Sequence, residues 1–111
     1  MASVASLTDS QKGKVCRAAI ANVMGRDPSI IRVLSQTGGI TRVRYTRDDG
    51  TVWTNECRVN ADNVDWRAVD GGQPGRWRSE DTIRYKIEGS RITIQQFMSG
   101  EHIDTQAYTV S

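Results

Sequence analysis

The chain has 111 residues, of which 37% are hydrophobic and 25% are charged, with a formal net charge of +2. This length suits one domain, and this balance is typical of a soluble globular protein and excludes a disordered chain. No apolar run approaches the roughly 20 residues of a membrane-spanning helix, and the first residues lack the regions of a signal peptide. We predict a disordered N-terminal segment at 1–7 and a single domain at 8–111.

A helix is predicted from about residue 8 to residue 24. Thr8 and Gln11 have the spacing of a capping box. Gly25 lies where a C-terminal cap is expected, and Pro28 follows shortly after it. Between these signals one apolar stripe recurs at helical spacing, formed by Cys16, Ala19, Ile20, Val23 and Met24. Cys16 is therefore expected to face the core.

Strands are predicted to follow the helix. Ile30–Leu34 is rich in β-branched residues, although Asp27-Pro28 could instead cap a second short helix. In the next hairpin a three-residue loop, Asp48–Gly50, opposes Tyr45 to Trp53 and puts the apolar residues of both strands on one face. A two-residue loop would put them on opposite faces, so the three-residue loop is preferred.

The later turns also place the apolar residues of the paired strands on one face of the sheet. A four-residue turn pairs Cys57 with Trp66, and a two-residue turn at Gly89-Ser90 pairs Ile87 with Ile92. With a last strand at about 102–110, the predicted class is α+β, with one N-terminal helix packed on an antiparallel meander of six to seven strands. Cystatin-type domains have a similar helix-on-sheet arrangement, and such folds serve unrelated functions.

Cys16 and Cys57 are both predicted to face the layer between helix and sheet. A disulfide between them would close a loop of about forty residues and stabilise the fold by roughly 4 kcal/mol. Two buried thiols are the alternative. Two cysteines and one histidine cannot complete a structural metal site, and His102, the candidate base for a catalytic cysteine, has no supporting motif. We therefore predict no catalytic residue, no metal and no cofactor.

Several short motifs resemble a group of small exported bacterial proteins of unknown function. The motifs are Cys16–Ile20, Met24–Pro28, Asp49–Trp53 ahead of Cys57, and Gly75–Arg78. Those proteins share one cysteine on the helix and one on the hairpin. The resemblance, like the predicted disulfide, implies export to the periplasm or the extracellular space, with the leader absent from this chain. A cytoplasmic location is the alternative.

Twelve of the fifteen cationic residues are arginines. The predicted registers place six charged residues on the outward face of the first hairpins: Arg42, Arg44, Glu56, Arg58, Asp65 and Arg67. Arg42 and Arg67 then both oppose Glu56 across the strands, and Arg58 opposes Asp65. Such pairs neutralise the charge locally, which argues against a nucleic-acid surface.

Arg76-Trp77-Arg78, after the loop 70–75, has the composition of an interface anchor. The alternative is that Trp77 folds back over an edge of the core. His102 is interpreted as a surface residue, and residues 62–65 as a turn, since they lack the spacing of a calcium loop.

These features predict a small, non-enzymatic, exported domain that binds an unknown protein partner or has a structural role, with its contact region at 70–78. One alternative is a small-molecule carrier or enzyme whose pocket lies between helix and sheet and is lined by Tyr45, Trp53 and Trp66. Another alternative is nucleic-acid binding through the arginine-rich sheet face.

Overall fold

The structure is a computed structural model that describes residues 7–110, without the side chains of 79–81. Within these residues lie one α-helix, one short 3₁₀ turn (Pro28–Ile30) and eight strands. The elements are α1 (Asp9–Met24), β1 (Arg32–Thr37), β2 (Ile40–Thr46), β3 (Val52–Val59), β4 (Asn63–Asp70), β5 (Gln73–Pro74), β6 (Arg78–Glu88), β7 (Arg91–Met98) and β8 (Glu101–Thr109). The α+β class is confirmed, and the strand count is slightly higher than predicted because β5 adds a strand of two residues.

The predicted helix and its caps are confirmed. The Thr8 hydroxyl accepts the Gln11 N–H, and the Gln11 side chain accepts the Thr8 N–H at 2.8 Å. Gly25 ends the helix in the left-handed conformation, at φ 65°, which costs glycine little. The predicted disordered segment 1–7 falls almost wholly outside the described residues, and its last residue, Leu7, packs against the core.

Both interpretations of the segment after the helix are realised, one after the other. Asp27 caps the 3₁₀ turn by accepting the Ser29 N–H at 2.8 Å. Strand β1 then begins at Arg32. The proline fixes the turn, and the β-branched residues that follow favour the extended conformation.

The strands form one antiparallel sheet in the order β1-β2-β3-β4-β6-β7-β8, with β5 paired to β4. The predicted registers are confirmed in each hairpin: Tyr45 opposes Trp53, Cys57 opposes Trp66, and Ile87 opposes Ile92. Each of these turns therefore has the loop length that unites the apolar side chains on one face.

The core lies between α1 and one face of the sheet. Its buried residues include Val15, Cys16, Ile20, Val43, Tyr45, Cys57, Ile83, Ile92 and Ile94. Trp53 differs from the other apolar residues predicted to share its face of the sheet. It lies on the core-facing side of β3, yet it is 39% exposed. It is the second residue after the turn, and the Arg47 guanidinium lies 5.9 Å from its ring. We call the opposite side of the sheet the outer face.

Candidate binding surface around Trp77

Cys16 and Cys57 form the predicted disulfide, with their Cα atoms 5.7 Å apart. Both residues are fully buried and lie in the layer between helix and sheet. The chain has two cysteines, so no thiol remains to act as a nucleophile or a metal ligand. The two cysteines therefore tie α1 to β3.

On the outer face, Glu56 lies between two arginines. Arg42 Nη2 contacts one carboxylate oxygen at 2.9 Å, and Arg67 Nη2 contacts the other at 2.8 Å. The Nε atoms of both arginines donate to the same two oxygens. Glu56 is only 5% exposed, so this paired carboxylate is shielded from water on a side of the sheet where no helix of the described residues lies.

A third ion pair lies beside the two at Glu56. Arg58 Nη2 is 3.0 Å from Asp65 Oδ2, which also accepts a hydrogen bond from the Asn60 side chain. All the cross-strand charge pairs predicted from the registers are thus present. Their arginines are fixed in direction, and they form a platform on which another group can lie.

Trp77 lies on this platform. The Arg67 guanidinium carbon is 4.2 Å from the centroid of the Trp77 ring, and that of Arg58 is 4.5 Å away. These distances suit cation–π contacts. Trp77 thus covers the charged outer face rather than an edge of the core, which differs from the alternative drawn from the sequence.

The loop before Trp77 is more ordered than its glycines suggest. Gly71 and Gly72 form a tight turn with positive φ angles of 58° and 81°. Gln73 and Pro74 then pair with β4, and the Gly75 N–H donates to the Ala68 carbonyl at 2.8 Å. These bonds hold the segment on β4 and aim Trp77 at the outer face.

The three residues predicted to form a contact site do not share one environment. Trp77 is half-buried, whereas Arg76 and Arg78 are exposed. The Arg78 guanidinium lies 5.6 Å from the ring of Trp66, a residue that packs against the core. The candidate surface is therefore Trp77 with Arg58 and Arg67, bordered by Arg76, and we call it the Trp77 surface.

Tyr45 and Trp53, two of the residues expected to line a pocket between helix and sheet, are cross-strand neighbours but border different depressions. Tyr45 borders a depression of about 380 Å³ with Ser29 and Arg32. Trp53 borders a different depression of about 310 Å³ with Ala68. The Cys16–Cys57 bridge itself occupies the layer between helix and sheet.

The other singled-out polar residues have local structural partners. His102 contacts the Thr105 hydroxyl, and its ring centroid lies 5.2 Å from that of Phe97. The turn predicted at residues 62–65 is wrong beyond Asp62, because β4 begins at Asn63; Asp65 lies in this strand and is engaged by Arg58 and Asn60. In the described part of the chain, no group of three potential ligands is placed to hold a metal ion.

Two features of the structure were not predicted. Asn55 is fully buried, and neither polar atom of its side chain has a hydrogen-bond partner among the described atoms, which exclude the side chains of 79–81. Arg32 lies directly opposite Arg44. The burial of Asn55 could have been noticed, because it is a polar residue at a core position between Trp53 and Cys57. The opposition of the two arginines depends on a register that the sequence leaves open.

Comparisons with known protein families, curated proteins and solved structures find no match to this chain. Among the described residues, no helix has both the length and the apolar character needed to cross a membrane. Any functional conclusion therefore depends on the geometry of the surface itself.

Proposed function

We propose that this chain is a non-enzymatic, exported domain that binds another protein through the Trp77 surface. One observation carries the proposal: an indole that is only half-buried is held on two guanidinium groups, on a sheet face that no helix in the described part of the chain covers. Tryptophan and arginine are the residues most enriched at the energetic centres of protein interfaces.

The order of the surface supports the same role. Glu56 and Asp65 fix Arg67 and Arg58, and the β5 pairing fixes the approach to Trp77. A surface that is already ordered loses little conformational entropy when a partner binds. The ion pairs also reduce the free positive charge, so a protein suits this surface better than a nucleic acid does.

The disulfide supports the exported location. A bridge between two buried cysteines forms and persists in an oxidising compartment. Both sulfur atoms are used in it, which removes the usual nucleophile and metal ligand from the core. These points favour a binding or structural role over catalysis.

The test is comparative capture with single-residue variants. Wild-type protein and Trp77→Ala are immobilised, and periplasmic and extracellular fractions of the native host are passed over both. Trp53→Ala is the matched control, because Trp53 is also partly exposed and also contacts an arginine. A partner captured by the wild type and by Trp53→Ala, but not by Trp77→Ala, supports the proposal.

Thermal melts of each variant are part of the test. Loss of two cation–π contacts should lower the unfolding free energy of Trp77→Ala by about 1–2 kcal/mol. A loss well above roughly 4 kcal/mol would instead identify Trp77 as a core residue. Equal capture by wild type and Trp77→Ala would overturn the proposal.

A further inference from the structure

Arg32 on β1 and Arg44 on β2 lie directly opposite each other on the outer face. Both side chains are exposed. Among the side chains that the structure describes, which exclude those of 79–81, neither guanidinium takes part in an ion pair or an aromatic contact. Like charges placed directly opposite destabilise a sheet, so this arrangement calls for a compensating negative charge.

The adjacent row of the same face has such a charge. There, Arg42, Glu56 and Arg67 follow one another across β2, β3 and β4. In the row of Arg44, the next positions are Thr54 and Val69, which carry no charge. On this face, a carboxylate in line with the Arg32–Arg44 pair would have to come from beyond β1.

Beyond β1 lies an open edge in the described part of the chain. Among the described strands, β1 is the first in the order of the sheet and pairs with β2 alone. Such an edge presents unpaired backbone N–H and C=O groups, to which another extended segment can bind. A depression of about 380 Å³ beside this edge is lined by Arg32 and Arg44 together with Ser29 and Thr46.

Apolar side chains accompany the arginines along this edge. Ile30, Val33 and Leu34 are 43%, 38% and 44% exposed. A small anion would use the two guanidinium groups alone. An extended peptide would use the guanidinium groups, the free backbone edge and the apolar side chains together.

We propose that β1 is a docking edge for an extended acidic segment of another protein, which adds a strand beside β1 and places a carboxylate against Arg32 and Arg44. Backbone hydrogen bonds supply affinity in this mode of recognition, and the side-chain contacts supply specificity. A second copy that offered its own β1 would bring further arginines to the pair, so the charge favours a different, acidic chain. This edge is separate from the Trp77 surface, and the two proposals can fail independently.

The direct test uses a fluorescent synthetic peptide of about nine residues, the length of a strand, in which glutamate alternates with valine. Its controls are the same peptide with lysine in place of glutamate, and a version with prolines at two consecutive central positions, one of which removes an N–H that faces β1 in either register. Binding is followed by fluorescence anisotropy. We expect the wild-type protein to bind the acidic peptide and neither control peptide.

The protein variants locate the site. Arg32→Gln combined with Arg44→Gln should raise the peptide Kd by about tenfold or more, because charge-assisted bidentate contacts are lost. Arg91→Gln is the matched control, since Arg91 is an exposed arginine of the same sheet, near its other edge. Arg91→Gln and Trp77→Ala should bind the peptide as the wild type does. The melting temperature of the double variant should be unchanged or higher, because a repulsion is removed.

Several results would overturn the proposal. They are peptide binding that survives the double variant, equal binding of the proline peptide, and no binding at about millimolar concentration. A lower melting temperature of the double variant would show that the pair is structural. Tighter binding of a single-stranded oligonucleotide would assign the pair to nucleic acid. Wild-type oligomers that dissociate in the double variant would show that the occupant is a second copy.

Discussion

The Trp77 indole lies 4.2 Å from the Arg67 guanidinium, which in turn holds the Glu56 carboxylate at 2.8 Å. The aromatic ring, the cation and the buried anion are joined by direct contacts on the outer face. Removing any one of the three therefore alters the surroundings of the other two.

The contact between the Arg67 guanidinium and the Trp77 ring predicts that these two residues are energetically coupled. In a double-mutant cycle of Arg67→Ala and Trp77→Ala, we expect a coupling of about 0.5–1 kcal/mol in urea unfolding. Arg42→Ala combined with Trp77→Ala is the control, because Arg42 contacts Glu56 without contacting Trp77. Equal coupling in both cycles would contradict the contact.

The disulfide predicts a large loss of stability on reduction. The bridge closes a sequence separation of 41 residues, and a loop of that length contributes about 4 kcal/mol in the chain-entropy treatment. Cys16→Ala combined with Cys57→Ala should unfold at much lower urea than the oxidised protein. Protein purified without reductant should lack free thiols and weigh less by two hydrogens, and two free thiols would contradict the bridge.

The buried, unpartnered amide of Asn55 leads us to expect that its replacement by valine stabilises the protein. A buried amide without partners costs about 1–3 kcal/mol, so Asn55→Val should raise the unfolding free energy by an amount of that order. Thr41→Val is the comparison, since Thr41 is also buried but its hydroxyl accepts a hydrogen bond from Gln36. A destabilised Asn55→Val variant would show that the amide is satisfied in solution.

Tyr85 predicts a loss of stability at alkaline pH. Burial, and secondarily the charge of Asp62, raise the pKa of Tyr85 above its ordinary value of 10.0. Its neutral hydroxyl donates to the Asn60 carbonyl at 2.6 Å. Because the folded state holds this proton more tightly than the unfolded chain does, the contribution to stability is complete below pH 10 and is lost as the pH rises through the raised pKa.

The measurement is urea unfolding of the wild type and Tyr85→Phe at several pH values. At pH 7 the variant should lose about 1 kcal/mol with its hydrogen bond. Between about pH 9 and pH 11 the wild type should lose stability more steeply than the variant, so that the two curves converge. Parallel curves would show that Tyr85 does not carry this pH dependence.

The sequence was sufficient to predict those features of the fold that depend on residues close together in the chain. The caps at Thr8 and Gly25 and the register at Tyr45 follow from local turn chemistry and from the alternation of apolar residues. The Cys16–Cys57 bridge followed from two such local arguments that met in one layer. The fold class could be predicted for the same reason.

Features that depend on contacts distant in sequence were not predicted. The position of Trp77 on Arg58 and Arg67 requires β5 to pair with β4, and no alternation pattern indicates a strand of two residues. The opposition of Arg32 and Arg44 depends on the register of β1, which contains an irregularity after Val33. The candidate surface could therefore be assigned to the segment 70–78, but its chemistry could not.

The position of the disulfide also decides how the fold responds to mechanical force. Because the bridge joins α1 to β3, a pulling force cannot extend the segment between Cys16 and Cys57. The fully stretched chain is therefore shorter by about 140 Å than it would be without the bridge. A pull on the two termini acts instead on the residues before Cys16 and on the strands after Cys57, where, among the described strands, β8 is held in the sheet by β7 alone. The protein should yield by unwinding of the helix before Cys16 and by peeling from its C-terminal edge, while the segment from Cys16 to Cys57 stays closed in its covalent loop.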